Sequence, residues 1–103
     1  MKWRVVLTEA TERDINAAAV WYENESQSLG AEFLDAIADS LQQIEGNPRQ
    51  FPIVHHDKRR ALLRRFPYGL YFRLEPTAVV MVGVFPRTAK SKILEGQAVT
   101  PRH

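Results

Sequence analysis

Six arginines and two tyrosines carry whatever chemistry this chain performs: Arg59, Arg60, Arg64, Arg65, Arg73 and Arg87, with Tyr68 and Tyr71 between them. A guanidinium fork grips phosphates and carboxylates and keeps its charge at any physiological pH. Aromatic rings beside it can stack on bases or anchor a protein interface. Arg59, Arg60, Arg64, Arg65, Tyr71, Arg73 and Arg87 are therefore the candidates for holding a target or a partner. Cleavage of RNA would need a base for the 2′-hydroxyl, an acid for the leaving oxygen and cations around the phosphate. Arg64, Arg65, Arg73 and Arg87, with Tyr68 and Tyr71, could surround a scissile phosphate. Arginines supply the cation role and are poor proton shuttles, because useful acid–base groups titrate near working pH. Binding to an acidic counterpart is better provided for than catalysis.

Other chemistries find little support. The chain has no cysteine, which removes disulfides, thiolate catalysis and thiolate metal sites together. No glycine-rich phosphate loop, His-x-x-x-His pair or Gly-x-Ser-x-Gly elbow is present. His55 and His56 are adjacent, so they share no face of a helix or strand and make a poor chelate. The carboxylates fall on helical faces turned to water, and no cofactor or metal is expected. Charge is divided unevenly along the chain. Residues 1–46 hold three basic and nine acidic side chains; residues 47–103 hold eleven basic and three acidic ones. That polarity points the second half toward nucleic acid or an acidic protein.

The length of 103 residues suits one domain, residues 1–103, with an ordered core over about 3–92 and a frayed tail from Gly96. No apolar run is long enough to span a membrane, and Trp3 to Leu7 is too short for a secretory signal, so a cytoplasmic protein is expected.

The elements that must position the arginines read in order. Residues 3–7 form a strand, and Thr8 caps a helix from Glu9 to Glu25 whose acidic first turn suits its dipole. Ala10, Ile15, Ala18, Ala19 and Tyr22 share its core face, and Trp21 beside them is assigned to core or interface packing. Ser26-Gln27-Ser28 supplies the next cap. Leu29, Phe33, Ile37, Leu41 and Ile44 then recur at helical spacing until Gly46-Asn47-Pro48 stops the helix. Asn47 to Lys58 reads as irregular, with Phe51 as an anchor. Two strands flank Phe66-Pro67-Tyr68-Gly69. Along the second, Tyr68, Leu70, Phe72 and Leu74 face the core, and Gly69, Tyr71 and Arg73 face away. After a turn at Glu75-Pro76-Thr77, Ala78 to Phe85 is apolar on both faces (Val80, Val82, Val84; Val79, Met81, Phe85), which marks a central strand. Arg87 to Lys92 is a basic exit. The expectation is an α+β fold in the order β-α-α-β-β-β, a helical hairpin packed on a four-stranded antiparallel sheet ordered second-third-fourth-first.

Trp21-Tyr22-Glu23, Leu29-Gly30 with Phe33, Asn47-Pro48, and Arg59-Arg60 through Arg65-Phe66-Pro67-Tyr68, set in that element order, resemble the RelE/ParE toxin superfamily over nearly all of residues 3–92. The resemblance implies a bacterial type II toxin held inactive by a cognate antitoxin. RelE-like members cut mRNA on the ribosome without a metal, whereas ParE-like members poison DNA gyrase. RelE-like cutters generally carry an arginine after the tyrosine of the third strand, where this chain has Gly69. They often carry an aromatic or histidine near the C-terminus, and Lys90-Ser91-Lys92-Ile93-Leu94 has none. Many relatives have a histidine where the fourth strand ends, where this chain has Pro86; Arg87 alone matches the basic residue expected nearby. Phe66-Pro67-Tyr68 and the Leu29-Gly30 helix start are more like the ParE, or plasmid-stabilisation, branch.

Overall fold

A computed structural model describes residues 2–87. The expectations for Lys90, Lys92 and the tail, and for a core reaching residue 92, lie outside those residues. Strand β1 (Arg4–Leu7) leads into helices α1 (Glu9–Glu25) and α2 (Leu29–Gly46). A short 3₁₀ turn (Pro48–Gln50) follows, then strands β2 (Ile53–His55), β3 (Lys58–Leu62), β4 (Tyr68–Leu74) and β5 (Ala78–Pro86).

The helices form where the apolar spacing and caps place them. Thr8 is extended, and its hydroxyl accepts the Thr11 N–H at 3.2 Å. Ile15, Ala18 and Ala19 are buried as expected, but Ala10 is exposed and Thr11 takes the core position. Trp21 is also exposed, touching only the edge of Tyr22 among the aromatic rings, so it takes no part in the core. Ser28 does occupy the N-cap of α2, but its side chain caps nothing and its φ is 72°. The carboxylate of Glu23 does that work instead. It accepts the N–H of Ser28 at 3.0 Å and that of Gly30 at 2.9 Å, so α1 itself caps α2. The clasp draws the helices so close that a Cβ on Gly30 would lie 2.6 Å from the Ala19 carbonyl oxygen.

The sheet has five strands in the order β1-β5-β4-β3-β2, one more than expected. The extra strand is β2, three residues set behind Pro52 in the stretch read as irregular. Its pairing with β3 is closed by a tight turn in which His56 has a φ of 50°. β1 pairs with β5 in parallel, not antiparallel. The chain crosses from β1 to the sheet through the helical pair, and alternation of apolar residues is the same for either strand direction. β5 is central as expected, but its faces are not the expected sets. Tyr71 opposes Gly83 and Phe72 opposes Met81, which leaves Val82 as a bulge. Past it the parity inverts, so Met81 and Val84 both enter the core although three residues apart. The helices cover one face of the sheet, where Phe33, Ile37 and Ile44 meet Leu70, Phe72, Val79 and Met81.

Beyond the last β1 pair, the Val84 N–H donates to Asp14 Oδ2 of α1 at 3.3 Å. This half-buried carboxyl corrects the expectation that all helical carboxylates face water. Burial raises its pKa, against the smaller lowering effects of the Val84 N–H and the Arg13 charge. A raised acid pKa contributes stability that is complete below the ordinary value of 3.8 and is lost as pH rises through the folded value. Asp14→Asn keeps an oxygen for Val84 without the charge. Its urea midpoint should exceed that of the parent near neutral pH, with the gap closing below the ordinary value. Gly30→Ala should cost about 1–3 kcal/mol in the same measurement, because the atom it meets is backbone and cannot swing aside.

Candidate functional site

The turn between β3 and β4 places most of the arginines. The Tyr68 N–H donates to the Phe66 carbonyl at 2.8 Å, a three-residue turn centred on Pro67, whose fixed φ suits it. The Leu63 N–H donates to Tyr68 O and the Arg87 N–H to Pro67 O, each at 2.9 Å, tying the turn to β4 and to the end of β5. Phe66 is driven into the helical hairpin, edge-on to Tyr22 at 4.9 Å and to Phe33 at 5.2 Å. Tyr68 joins the same cluster, 5.4 Å from Phe33. Burial, and secondarily the charge of Asp14, raises its phenol pKa, so it stays protonated on the helix side of the sheet.

The arginines do not gather on one surface, which corrects the expectation of a single basic hairpin. Arg59 is cross-strand from Phe72 and donates to the carbonyl oxygens of Phe51 at 2.8 Å and Arg49 at 3.4 Å. It fastens the loop before β2. Arg60 and Arg73, with Lys58, stand on the face of the sheet away from the helices, following the register Arg60–Tyr71 and Lys58–Arg73. Arg73 is already engaged there by Glu75 at 2.8 Å. Arg64 and Arg65 line a different place, an open cleft of about 730 Å³ between α2 and the end of β3. Glu32, Asp35 and Asp39 form the opposite wall, with Leu62 at the β3 side. Both arginines therefore face the cleft. Arg65 is bound to Glu32 at 2.6 Å and rests over the Phe66 ring at 5.3 Å, while Arg64 makes no ion pair among the described residues. Arg87 is exposed at the end of β5.

Tyr71 is where the structure departs most from the sequence reading. It lies on the helix-free face as its parity requires, but it is wholly buried. Its ring lies over Gly69, so close that a Cβ there would sit 3.2 Å from Tyr71 Cε1 and 3.3 Å from both Arg60 Cγ and Leu62 Cδ2. Phe85 leans back over Gly83 in the same way, and the two rings are 5.8 Å apart. Each glycine thus makes room for the aromatic two residues later. The Tyr71 hydroxyl and the Nε of Arg60 are buried without a hydrogen-bond partner. Tyr71 is therefore not a free stacking surface, and a side chain at position 69 would press on the Tyr71 ring and on the stems of Arg60 and Leu62. His55 and His56 lie at the far end of β2, and no group of histidine and carboxylate side chains among the described residues could hold a metal.

Asp14 is the half-buried carboxylate that sequence reasoning placed in solvent, while Glu23 and Glu32 are exposed as expected but are engaged, by the α2 N–H groups and by Arg65. Only the spacing of Glu23 to Ser28 and Gly30 within the recognised motif carried a signal, since a side chain that reaches across a hairpin leaves no periodicity.

No family model matches the sequence, and no curated protein matches it. Solved structures do match its fold. The chromosomal ParDE toxin–antitoxin system from P. aeruginosa aligns at a TM-score of 0.68 with 15% identity, over 82% of this chain and 96% of that one. The RelBE2 toxin–antitoxin complex from Mycobacterium tuberculosis aligns at 0.57 with 17% identity, over 84% and 100%. An arginine-to-alanine double mutant of the E. coli toxin RelE in the free state aligns at 0.58 with 14% identity, over 95% of each chain. The two helices on one face of the sheet thus form a fold shared with solved toxin structures of the ParDE and RelBE kind.

Proposed function

We propose that this chain is the toxin of a type II toxin–antitoxin module, neutralised by a cognate antitoxin, and that it acts in the ParE manner by binding its target, with DNA gyrase the inferred one. The fold likeness supports the toxin class. The observation that carries the choice of binding over cleavage is the packing of Tyr71 on Gly69. The helix-free face keeps Lys58, Arg60 and Arg73 as cations, yet its one phenol is buried, and the one imidazole of the described strands beside them, His55, stands opposite Lys58 at the β2 end of the row. Cations alone position a phosphate and move no proton.

Purified protein incubated with gyrase and supercoiled plasmid should block supercoiling or trap cleaved DNA; unchanged topoisomers would sink the gyrase reading. A ribosome-dependent mRNA endonuclease is the second reading, favoured by Lys58 and Arg60 standing side by side with Arg73 on one open face. Discrete cuts in translated mRNA by primer extension would establish it and displace the first. Induced expression without growth arrest would leave a non-toxic, partner-binding relative.

Two substitutions separate these roles. Tyr71→Phe removes a buried hydroxyl with no partner, so stability should hold or rise by about 1 kcal/mol and growth arrest should persist. Loss of toxicity in a folded Tyr71→Phe protein would restore the phenol as a chemical group. Arg64→Ala with Arg65→Ala should weaken antitoxin binding or abolish toxicity. Its melting temperature should fall only slightly, because exposed ion pairs contribute about 0–1 kcal/mol. Retention of both activities would remove these arginines from the interface.

A further inference from the structure

The outer flank of α1 overhangs an open piece of the sheet. Ala19 and Glu23 turn toward Gly30 of α2, so Asp14, Ala17 and Trp21, about half a turn round the helix, lie on the side away from α2. β1 pairs with β5 only from Ala78 to Met81, and past that point no strand of the described residues lies beside β5 on this side. Asp14 stands in the gap. Its Oδ2 takes the Val84 N–H at 3.3 Å, a bond that a neighbouring strand would otherwise make. The N–H and C=O of one strand residue point the same way, so the Val84 carbonyl opens onto the same gap.

Asp14 is half-buried, yet it forms no ion pair among the described residues, and Arg13 beside it turns to Glu9 at 3.9 Å. Its charge is felt by the Tyr68 phenol, and burial works against it. A half-buried carboxylate with no cation beside it weakens the free protein. An amide would accept the Val84 N–H equally well, so the fold has no need of the charge. About two turns further along the same flank is Trp21, 56% exposed, with Ala17 between them. A long helical side chain leans back over the preceding turn, which for Trp21 is the turn of Ala17.

We infer that this flank of α1 receives an arginine side chain presented by a partner protein, its guanidinium bridging the Asp14 carboxylate and the Val84 carbonyl and its stem lying over Ala17 against Trp21. The carboxylate, the carbonyl and the indole are two acceptors and a π surface, a set that selects a cation. Two acceptors on one side suit the planar fork of arginine better than the point charge of lysine. Among aromatic rings the indole attracts a cation best. The site lies across the helical hairpin from Arg64 and Arg65, and its chemistry does not rest on the toxin reading above.

The probe is N-acetyl-arginine-methylamide, titrated into the isotopically labelled full chain and followed by amide, indole and carboxyl chemical shifts. Expected are shifts centred on Asp14, Val84 and the Trp21 indole, with the Asp14 carboxyl titrating at lower pH once the probe is bound. Binding should weaken about tenfold in Asp14→Asn and about threefold in Trp21→Ala. The first variant is expected to be the more stable protein, so its loss of binding cannot be laid to unfolding. The neutral isostere N-acetyl-citrulline-methylamide should leave these resonances in place. The inference is overturned by absence of shifts at high-millimolar probe, by equal binding of the citrulline compound, by equal binding to either variant, or by shifts confined to another face. It also falls if Lys90→Ala with Lys92→Ala in the full chain moves the Asp14 carboxyl resonance without probe, since the cation is then the chain's own. None of these readouts depends on toxicity, so failure here leaves the toxin reading standing, and absence of growth arrest leaves the site standing.

Discussion

Phe66, Tyr22, Phe33 and Tyr68 meet at the mouth of the helical hairpin with ring centroids 4.9 to 6.1 Å apart. Edge-on aromatic contacts of this kind contribute about 0.5–1.5 kcal/mol per pair beyond the area they bury. Their larger consequence is geometric. The cluster pins the turn after β3 to α1 and α2 and fixes the direction in which the chain leaves the sheet. Arg64 and Arg65 immediately precede Phe66, so they are swung toward α2. Arg60 and Arg73 stay on the strands and face the other way. One run of arginines in the sequence becomes two surfaces because an aromatic anchor draws its end, at Arg64 and Arg65, off the strand and toward α2.

That separation changes what the charge polarity of the chain means. The acidic first half and basic second half do not simply present one field to a partner; they meet each other. Glu32 engages Arg65 across the cleft, and within the second half Glu75 engages Arg73. Each exposed pair is worth little in stability, but each fixes a long side chain that would otherwise sweep its surface. Among the described residues that make no ion pair are Arg64 on one side of the cleft, Asp35 and Asp39 on the other, and Arg60 on the opposite sheet face.

Much of this was legible in the residues. Helix limits at Glu9, Glu25, Leu29 and Gly46 followed from caps and periodicity, and the alternation along β4 named its core face correctly. The failures share a cause. The parallel sense of β1, the pairing of three residues in β2 and the parity change at Val82 all depend on what lies opposite in another strand, and a one-dimensional pattern is blind to that. Tyr71 was assigned to the right face and the wrong environment for the same reason. Its burial is set by the empty space over Gly69 and by Arg60 and Leu62 on the neighbouring strand. Glu23 was legible only as part of a motif, and its role as the cap of α2 needed the hairpin to be closed.

The carbonyl of Met81, just ahead of the bulge, accepts the hydroxyls of both Thr8 and Thr11 at 3.2 Å, across sequence separations of 73 and 70 residues. Thr11 is fully enclosed, so its hydroxyl has no water to fall back on. The first turn of the first helix can therefore reach its resting place only after the last strand exists. Distant contacts must close a long loop before they return any free energy, which slows folding. During synthesis the amino-terminal half must wait, incompletely assembled, until the ribosome has delivered β5. A nascent chain interrupted before that point lacks Val79, Met81 and Val84 of the core and leaves the Thr11 hydroxyl without its acceptor.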